Sequence, residues 1–518
     1  MIAKWLVMGA ALVTGAASVP ALRSGEIPDS ETPSSEIADS DTRAWWQATE
    51  ALSGDAMEGR DTGSPGYDRA ARLLAARFAA AGLKPAGENG SWYQQLKLID
   101  LTVDARATHF RIGAAPLRLL HDITLRPSPN MPRALDAPLV FRGYCGAGTL
   151  GDVRGKVVLC YGWRRSGLTS AAERAAAVEA AGALGIVTIA DPGFTIEPMQ
   201  WPVAYARSVA PVGAPAPNSD RLLVATLNPA ALPRVLAGSG QDAATLIRAG
   251  STGAALPNFN LPAPFAATVT LRERMIASAN VLGLLPGSDS MLRDQYVVLS
   301  AHLDGYGRGE PVKGDGLYNG TLDDAAYVAL LQRLAERRQG KGYRRSVVFA
   351  AFTGEEKGLL GATEFVAHPT VPRAALVANI NLDQLRPIFP LDLMTVHALD
   401  DTTLGDAVRA SAGNITVQHD PEPERNLLRR ADHWPFLSAG IPATGFVFGY
   451  RTGTESEQRY RHWYQTGYHK PQDDLDQPMD WTAATKFNAF FYDLVARVAD
   501  ADRPPEWKRG STLRPERK

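Results

Sequence analysis

The strongest constraint on the fold of this chain is an uninterrupted apolar run that ends in polar residues. Val297 to Ala301 contain no charged residue and lead into His302, Leu303 and Asp304. Such a run is typical of a buried strand in a parallel sheet. In open α/β sheets, ligands bind beyond the carboxyl ends of the strands. The pattern therefore predicts an α/β fold with His302 at a ligand-binding edge, where an imidazole can reach a metal.

Two further apolar runs also end in acidic residues. Arg345 to Thr353 leads to Glu355 and Glu356, and Ala375 to Leu382 leads to Asp383. We expect both runs to be strands of the same sheet, because sheets of this kind alternate strands with helices. Their carboxylates would then meet His302 at one edge.

Two more candidate ligands lie outside these strands. Asp323 precedes a helical pattern and follows a glycine-punctuated loop, and His469 lies in the turn-like segment Tyr468 to Pro471. Asp304, two residues after His302, points to the same side of an extended chain and is expected to hold the other ring nitrogen of His302. Imidazoles together with carboxylates favour zinc among the divalent ions.

These residues resemble the co-catalytic zinc aminopeptidases and carboxypeptidases of the M-28 metallopeptidase family. Five motifs occur in the family order: His302-Leu303-Asp304, the segment from Gly314 to Asp323, Glu355-Glu356 with the following KGLLG, Asp383 in NLD, and Tyr468 to Asp473. The resemblance implies a three-layer α/β/α zinc-peptidase domain with a mixed, mostly parallel sheet.

The resemblance also implies a role for each residue. His302 and Asp383 would bind one zinc ion, Glu356 and His469 a second, and Asp323 would bridge the two. Glu355 would be the general base, and Tyr468 would help to stabilise the oxyanion. The family pattern further implies a cis peptide bond between Asp323 and Asp324.

An insertion interrupts the predicted peptidase domain. Between about Ala114 and Pro262 the sequence has short β-like pieces with many prolines and glycines. The succession of Leu150 to Gly162, an alanine-rich helix from Ser170 to Ala181, and GALGIVTIAD resembles a β-rich protease-associated domain, which in this family acts as a lid or access module. Cys145 and Cys160 both lie here, and their spacing leaves a disulfide and a buried free pair open.

The complete division predicted from the sequence has six parts. They are a signal peptide (1–22), a disordered linker (23–44), the N-terminal part of the peptidase domain (45–113), the inserted domain (114–263), the catalytic part (264–502) and a basic, solvated tail (503–518).

The sequence also suggests where the protein acts and what it binds. Lys4 and the apolar stretch Trp5 to Ala17 indicate export, to the periplasm or the medium, and no stretch is long enough for stable membrane insertion. The formal net charge of −1 offers no electrostatic case for nucleic acid. The oligomeric state is left open.

These observations lead to the prediction of an exported two-zinc aminopeptidase that acts on peptides. One alternative is a carboxypeptidase or dipeptidase on the same scaffold, in which Arg425, Arg429 or Arg430 clamps a substrate carboxylate. A second alternative is a catalytically inactive, receptor-like binding protein, which the presence of all five ligands and the base disfavours.

Three other residues have two interpretations each. Asp432 and His433 are expected to shape the specificity wall, although His433 is equally compatible with a neutral core histidine. Arg60 is able to hold an acidic substrate group, but a structural ion pair is favoured. It precedes a predicted helix with Ser64 as its N-cap, Pro65 in its first turn and Gly82 as its terminator.

Overall fold

The computed structural model describes residues 37–162, 170–215, 220–383 and 385–516. The predicted signal peptide and most of the predicted linker lie outside these ranges. The helices are α1 (Ser40–Ser53), α2 (Pro65–Ala80), α3 (Ala171–Ala180), α4 (Leu232–Val235), α5 (Ala243–Thr252), α6 (Ala326–Arg338), α7 (Leu360–Ala367), α8 (Leu404–Ser411), α9 (His433–Ser438), α10 (Glu455–Thr466) and α11 (Trp481–Ala499).

The strands are β1 (Lys84–Pro85), β2 (Tyr93–Val103), β3 (His109–Ile112), β4 (Ala115–Leu117), β5 (Ile123–Arg126), β6 (Ala134–Ala137), β7 (Leu139–Arg142), β8 (Val157–Tyr161), β9 (Gly185–Ile189), β10 (Arg207–Pro211), β11 (Leu223–Leu227), β12 (Asn258–Asn260), β13 (Phe265–Thr268), β14 (Leu271–Leu285), β15 (Tyr296–His302), β16 (Gly307–Val312), β17 (Asp315–Tyr318), β18 (Ser346–Phe352), β19 (Leu376–Asn381), β20 (Leu393–Val396), β21 (Thr416–Gln418), β22 (Ala443–Thr444) and β23 (Phe446–Phe448).

The main sheet has eight strands, in the order β10-β2-β14-β18-β15-β19-β22, with β1 paired to β14. The pairings β18-β15, β15-β19 and β19-β22 are parallel. The other pairings, from β10 to β18 and at β1, are antiparallel. The sheet is therefore mixed as predicted, but it is not mostly parallel, since a parallel half adjoins an antiparallel half.

Helices cover both faces of this sheet and form the predicted three layers. Alternate residues of β15 contribute to different cores: Val297 and Leu299 pack in the same cluster as residues of α6 and α11, whereas Val298 packs in the cluster that contains Phe365 and Phe436. A strand that is apolar on both faces reads as a continuous apolar run, which explains the sequence pattern.

The helix α2 forms as its sequence predicts. The Ser64 side chain accepts a hydrogen bond from the Tyr67 amide at 3.1 Å, and Pro65 occupies the first turn. Leu74 and Phe78 are completely buried. Gly82 follows the helix with φ +82°, a left-handed conformation that glycine adopts without strain.

The inserted region forms its own sheets between β2, which ends at Val103, and β14, which begins at Leu271. One sheet has the order β12-β7-β8-β9-β11-β5 and the other the order β4-β3-β13-β6. The strands β7, β8, β9 and β11 are parallel neighbours, and Cys145 is disulfide-bonded to Cys160 at the end of β8. The disulfide resolves the alternative that the sequence left open.

Three predicted boundaries differ from the structure. The helix α1 begins at Ser40, inside the predicted linker, and buries Trp45 and Trp46. The inserted sheets begin before residue 114 and end after 263, because β3 and β13 pair with each other. Within the insertion, β10 returns to the main sheet and pairs with β2.

The described part of the predicted basic tail, residues 503–516, is solvent-accessible as predicted but also contacts the catalytic part. The Trp507 indole N–H donates to the Gly440 carbonyl at 2.7 Å, and Lys508 pairs with Asp406 at 2.6 Å. An indole that finds both an apolar surface and a carbonyl acceptor is favourable to bury, and the charge count of the segment does not reveal this. Within the described ranges, no helix combines the length and apolarity that a membrane crossing requires.

Candidate metal centre

The carboxyl ends of three neighbouring parallel strands bring the first candidate ligands together. His302 is the last residue of β15 and lies opposite Phe352, the last residue of β18. Glu355 and Glu356 follow β18, and Asp383 follows β19 by two residues. The sequence prediction that these side chains share one sheet edge is confirmed by this topology.

Asp323 reaches the same edge from the turn Thr321–Ala325 at the start of α6. The amides of Leu322 and Asp323 donate to the Asp473 carboxylate at 2.9 and 3.0 Å. The peptide bond between Asp323 and Asp324 is cis, as the resemblance implied. Asp473, the last residue of the fifth motif, therefore holds the turn that presents Asp323.

Asp323 lies between the two histidines. One of its carboxylate oxygens is 3.4 Å from His302 Nε2, and the other is 3.4 Å from His469 Nε2. His469 Nε2 is also 3.4 Å from Glu356 Oε2. The potential ligand atoms of His302, Asp323 and Asp383 lie within 4.8 Å of one another, and so do those of Asp323, Glu356 and His469. Asp323 is common to both groups, as a bridging ligand must be.

The donor atoms in these groups fit a divalent cation. His302 Nε2, Asp323 Oδ2 and Glu356 Oε1 are buried and make no hydrogen bond to any described residue. Buried polar atoms of native proteins are normally paired, and a bound ion is one explanation for those that are not. Two imidazole nitrogens with carboxylate oxygens are a donor set that zinc accepts.

The pKa shifts of the carboxyl groups at this sheet edge also favour a bound cation. Burial, opposed by His469 and reinforced by Asp323, raises the pKa of Glu356 to about 7. Burial likewise raises the pKa of Asp324 well above its usual value, with Asp383 and Asp323 adding to the effect. By contrast, the imidazoles of His302 and His469, each 3.4 Å from a carboxylate oxygen of Asp323, outweigh burial and hold the pKa of Asp323 well below its usual range. Bound cations relieve the crowding of negative charge that raises carboxyl pKa values.

Each histidine is oriented through its second ring nitrogen. His302 Nδ1 lies 3.0 Å from the Asp304 carbonyl oxygen, and His469 Nδ1 lies 2.9 Å from the Tyr306 hydroxyl. Such partners direct Nε2 toward a metal. Asp304 is therefore the partner of this ring nitrogen, as predicted, through its main-chain carbonyl, while its carboxylate Oδ1 lies 3.8 Å from the same nitrogen.

The Asp304 carboxylate instead positions other residues. It accepts hydrogen bonds from the Thr62 hydroxyl at 3.1 Å and from the Glu355 amide at 3.0 Å. Burial raises the pKa of Glu355 well above its usual value, and the nearby carboxylates of Asp383 and Glu356 add to this. A raised pKa suits a carboxylate that must take up and release a proton near neutral pH.

Tyr468 stacks on His469, with ring centroids 3.6 Å apart. Its hydroxyl oxygen accepts a hydrogen bond from Arg430 at 3.1 Å, and Arg430 pairs with Glu197 of the inserted region at 2.8 Å. The sequence placed Tyr468 at the site but gave no indication of Glu197. No local pattern could have done so, because 233 positions separate Glu197 from Arg430.

Tyr306 is a second residue that the sequence prediction missed. It follows Asp304 by two positions, so an extended segment after His302 would have been a signal for it. Together with Tyr318, Asp323, Glu356 and His469 it lines an open pocket beside the candidate ligands.

The remaining candidates have structural roles. Arg60 is fully buried and donates to the carbonyls of Leu303, Leu52, Asn319 and Gly320, so it holds main-chain groups and no substrate acid. His433 is buried beside His397, with burial holding its pKa well below its usual value, as expected for a neutral core histidine. Asp432, in contrast, is 1% exposed and its carboxylate oxygens make no hydrogen bond to a described residue, so its place in the specificity wall stays a prediction.

Comparison with known proteins identifies the catalytic part. Residues 280–495 match the model of Peptidase family M28. This part of the chain is therefore similar to that peptidase family, and the matched residues include all five candidate ligands and Glu355.

Solved structures share the fold of nearly the whole chain. An aminopeptidase from Aneurinibacillus sp. strain AM-1 aligns with a TM-score of 0.60 at 18% identity, over 93% of this chain and 97% of that one. A zinc aminopeptidase from Bacillus subtilis aligns with a TM-score of 0.59 at 17% identity, over 89% and 95% of the two chains. At these identities the likeness establishes the fold.

Curated relatives match over shorter stretches. A probable zinc metalloprotease of Pyrenophora teres f. teres is 28% identical over 249 residues, which cover 45% of this chain and 52% of that protein. A glutamate carboxypeptidase 2 homolog of Caenorhabditis elegans is 27% identical over 212 residues, which cover 36% and 26%. The chain thus spans about half of the first relative's length and about a quarter of the second's.

Proposed function

We propose that this chain is an exported, zinc-dependent aminopeptidase that removes N-terminal residues from peptides. The observation that carries the proposal is the convergence of His302, Asp323, Glu356, Asp383 and His469 at one sheet edge beside Glu355. The family match and the aminopeptidase-like fold support the same class.

The five side chains would hold two zinc ions, one through His302 and Asp383 and one through Glu356 and His469, with Asp323 shared. Bound there, the ions would polarise the scissile carbonyl and lower the pKa of a water molecule. Asp473 and Arg386 assist by holding Asp323, since the Arg386 guanidinium lies 3.7 Å from Asp323 Oδ1.

Glu355 would act as the general base and then as the general acid. Its raised pKa allows it to take a proton from the attacking water and deliver it to the leaving amine. Its position is fixed because its amide is tied to Asp304. Tyr468 would donate a hydrogen bond to the carbonyl oxygen as that oxygen gains negative charge, a contribution of about 3 kcal/mol for one donor.

Export is supported by two observations. The N-terminal sequence is typical of a signal peptide, and the disulfide between Cys145 and Cys160 suits an oxidising compartment. The inserted region, with its four parallel strands, is proposed to be a protease-associated domain that borders substrate access.

The experiment that tests the proposal uses one short peptide in two forms, with a free and with an acetylated N-terminus. Each form is incubated with the protein, with and without a metal chelator. We expect chelator-sensitive cleavage of the free-amine form only. Cleavage of the acetylated form alone would contradict the aminopeptidase assignment.

A carboxypeptidase is the second candidate, favoured by one observation: Arg430 lies beside Tyr468. Arg425 and Arg430 already pair with Glu197, however, and the Arg429 guanidinium lies over the Trp434 ring at 4.9 Å. A preference for peptides with a free C-terminus that disappears in Arg430→Gln would establish this candidate in place of the first.

A further inference from the structure

A segment of the inserted region, residues 195–207, crosses the site next to Tyr468 and His469. We name it the crossing segment. Besides the hydrogen bonds of Glu197, five others join it to the catalytic part. They run from Gln465 to the Thr195 carbonyl at 3.2 Å, from Gln200 to the Tyr464 carbonyl at 3.2 Å, from Lys470 to the Pro202 carbonyl at 2.5 Å, from Lys357 to the Tyr205 hydroxyl at 2.6 Å, and from the Glu310 amide to the Ala204 carbonyl at 2.7 Å. The insertion is therefore joined to the site and not merely placed near it.

Within the crossing segment, Glu197 forms ion pairs with two arginines of the catalytic part, Arg425 and Arg430. It is 7% exposed, and its two oxygens lie 2.8 and 3.0 Å from the two terminal nitrogens of Arg430. Arg425, which is 2% exposed, donates to the same carboxylate at 3.2 Å. A parallel, two-point pair of this kind fixes the orientation of a guanidinium as well as its position.

Arg430 passes this orientation on to Tyr468. Its Nη2 donates to the Tyr468 hydroxyl oxygen at 3.1 Å. A guanidinium has no acceptor, so the hydroxyl must accept here, and its own hydrogen remains available for another partner. A Tyr468 hydroxyl held in this way can donate to a substrate oxygen.

We propose that Glu197 is a positioning residue for the hydrolytic reaction: from the inserted region it holds Arg430, and through Arg430 it holds the hydroxyl of Tyr468 as a hydrogen-bond donor toward substrate. The proposal rests on the proposed function of the site. Without the Glu197 charge, the buried guanidinium of Arg425 and the partly exposed guanidinium of Arg430 would repel each other, and Arg430 would lose its two-point anchor.

The test is a double-mutant cycle of Glu197→Gln and Tyr468→Phe, with peptide hydrolysis measured in the zinc-loaded full chain. We expect Glu197→Gln to lower kcat between about tenfold and a hundredfold, as a small misplacement of a catalytic group does, with KM changed much less. In the Tyr468→Phe background, the same substitution is expected to leave kcat unchanged. An equal loss of kcat in both backgrounds, or no loss in the first, would overturn the proposal.

Two further variants separate positioning from general damage. Arg430→Lys keeps the charge but cannot bind Glu197 and Tyr468 through one planar fork, so it should reproduce the loss and its dependence on Tyr468 even if Glu197→Gln does not fold. His121→Ala removes a contact between the insertion and Glu310, at 2.9 Å, that does not involve Tyr468. It should leave kcat within about twofold, as a surface contact does.

A structural readout keeps this inference separate from the proposed function. An inactive wild-type chain with bound zinc would refute the proposed function. Crystal structures of the wild type and of Glu197→Gln would still test the positioning, because the distance between Arg430 and the Tyr468 hydroxyl should increase beyond hydrogen-bonding range in the variant. An unchanged distance would overturn it.

Discussion

The main sheet and the larger sheet of the inserted region both contain a block of parallel strands, but the polar groups at their carboxyl ends differ. In the insertion, Asp191 lies beyond β9, and its Oδ1 accepts hydrogen bonds from Tyr161 at 2.9 Å, Ser251 at 2.6 Å and the Gly193 amide at 2.9 Å. At both edges some carboxylate oxygens receive no hydrogen bond from the described residues, namely Asp191 Oδ2 in the insertion and Asp323 Oδ2 and Glu356 Oε1 in the main sheet. At the main-sheet edge, however, imidazole nitrogens of His302 and His469 lie 3.4 Å from the Asp323 carboxylate.

This difference shows what turns a strand edge into a metal site. Both edges are buried and both carry acids, so topology alone does not distinguish them. The insertion supplies hydroxyls and amides that donate to its acid, whereas the main sheet supplies imidazoles and further carboxylates that all have lone pairs to share. In the part of the chain that the structure covers, every group of three or more potential ligands lies at the main-sheet edge.

Removing the shared ligand should have the largest effect. We expect Asp323→Ala to lose bound zinc and to lower turnover by more than about 10³-fold, since even partners of ligands contribute about 10–100-fold. Zinc content is measured by mass spectrometry and turnover with the free-amine peptide. The matched substitution at the other edge, Asp191→Ala, should leave zinc content unchanged. Equal zinc loss in both would remove the distinction between the edges.

Glu355→Gln separates metal binding from proton transfer at the same edge. The amide keeps the size of the side chain but cannot accept a proton, so zinc should be retained while kcat falls by about 10²–10⁴-fold. A variant that keeps full activity would show that Glu355 is not the general base.

The orientation of His469 gives a smaller effect. Tyr306→Phe removes the hydroxyl that contacts His469 Nδ1 at 2.9 Å, and zinc affinity should fall by about 10–100-fold. The zinc affinity of the variant and of the wild type is measured by competition with a chelator of known affinity. The matched control is Tyr318→Phe, whose hydroxyl donates to the Glu310 carbonyl at 2.7 Å and contacts no ligand. If both variants bind zinc equally well, the role of Tyr306 is only packing.

Removal of the disulfide should have the smallest effect on the metal edge, by which we mean the edge of the main sheet that carries the candidate zinc ligands. The disulfide closes a loop of 15 residues in the insertion, and replacing both cysteines by alanine should lower the free energy of unfolding of that region by about 3 kcal/mol. Hydrogen exchange of β8 and β9 measures this loss. Zinc content should not change, and a fall in zinc content would mean that the two edges are coupled.

Much of the metal edge was predictable because its residues follow apolar strands in sequence. His302, Glu355, Glu356 and Asp383 each come within a few residues of a strand end, so local patterns locate them. The pairing of β10 with β2 and the contact of Glu197 with Arg430 join residues more than 100 positions apart. Such contacts depend on how the insertion folds back, which no local pattern encodes.

The sequence also did not predict which atom of Asp304 contacts His302 or how many strands of the main sheet are antiparallel. The pattern His302-Leu303-Asp304 correctly indicated Asp304 as a partner for the imidazole, but not that its carbonyl would make the hydrogen bond, at 3.0 Å, with its carboxylate farther away at 3.8 Å. The antiparallel half of the main sheet was underestimated because β2 alternates exposed and buried residues and the first half of β14 is largely exposed and charged, so neither reads as a continuous apolar run.

The most direct test of the account is a zinc titration of the metal-stripped full chain, with bound zinc and hydrolysis of the free-amine peptide measured at each step. The account predicts no hydrolysis without zinc, two zinc ions bound per chain at saturation, and recovery of activity as the sites fill. Full hydrolysis in the metal-free protein, or saturation with no zinc held at this edge, would contradict it.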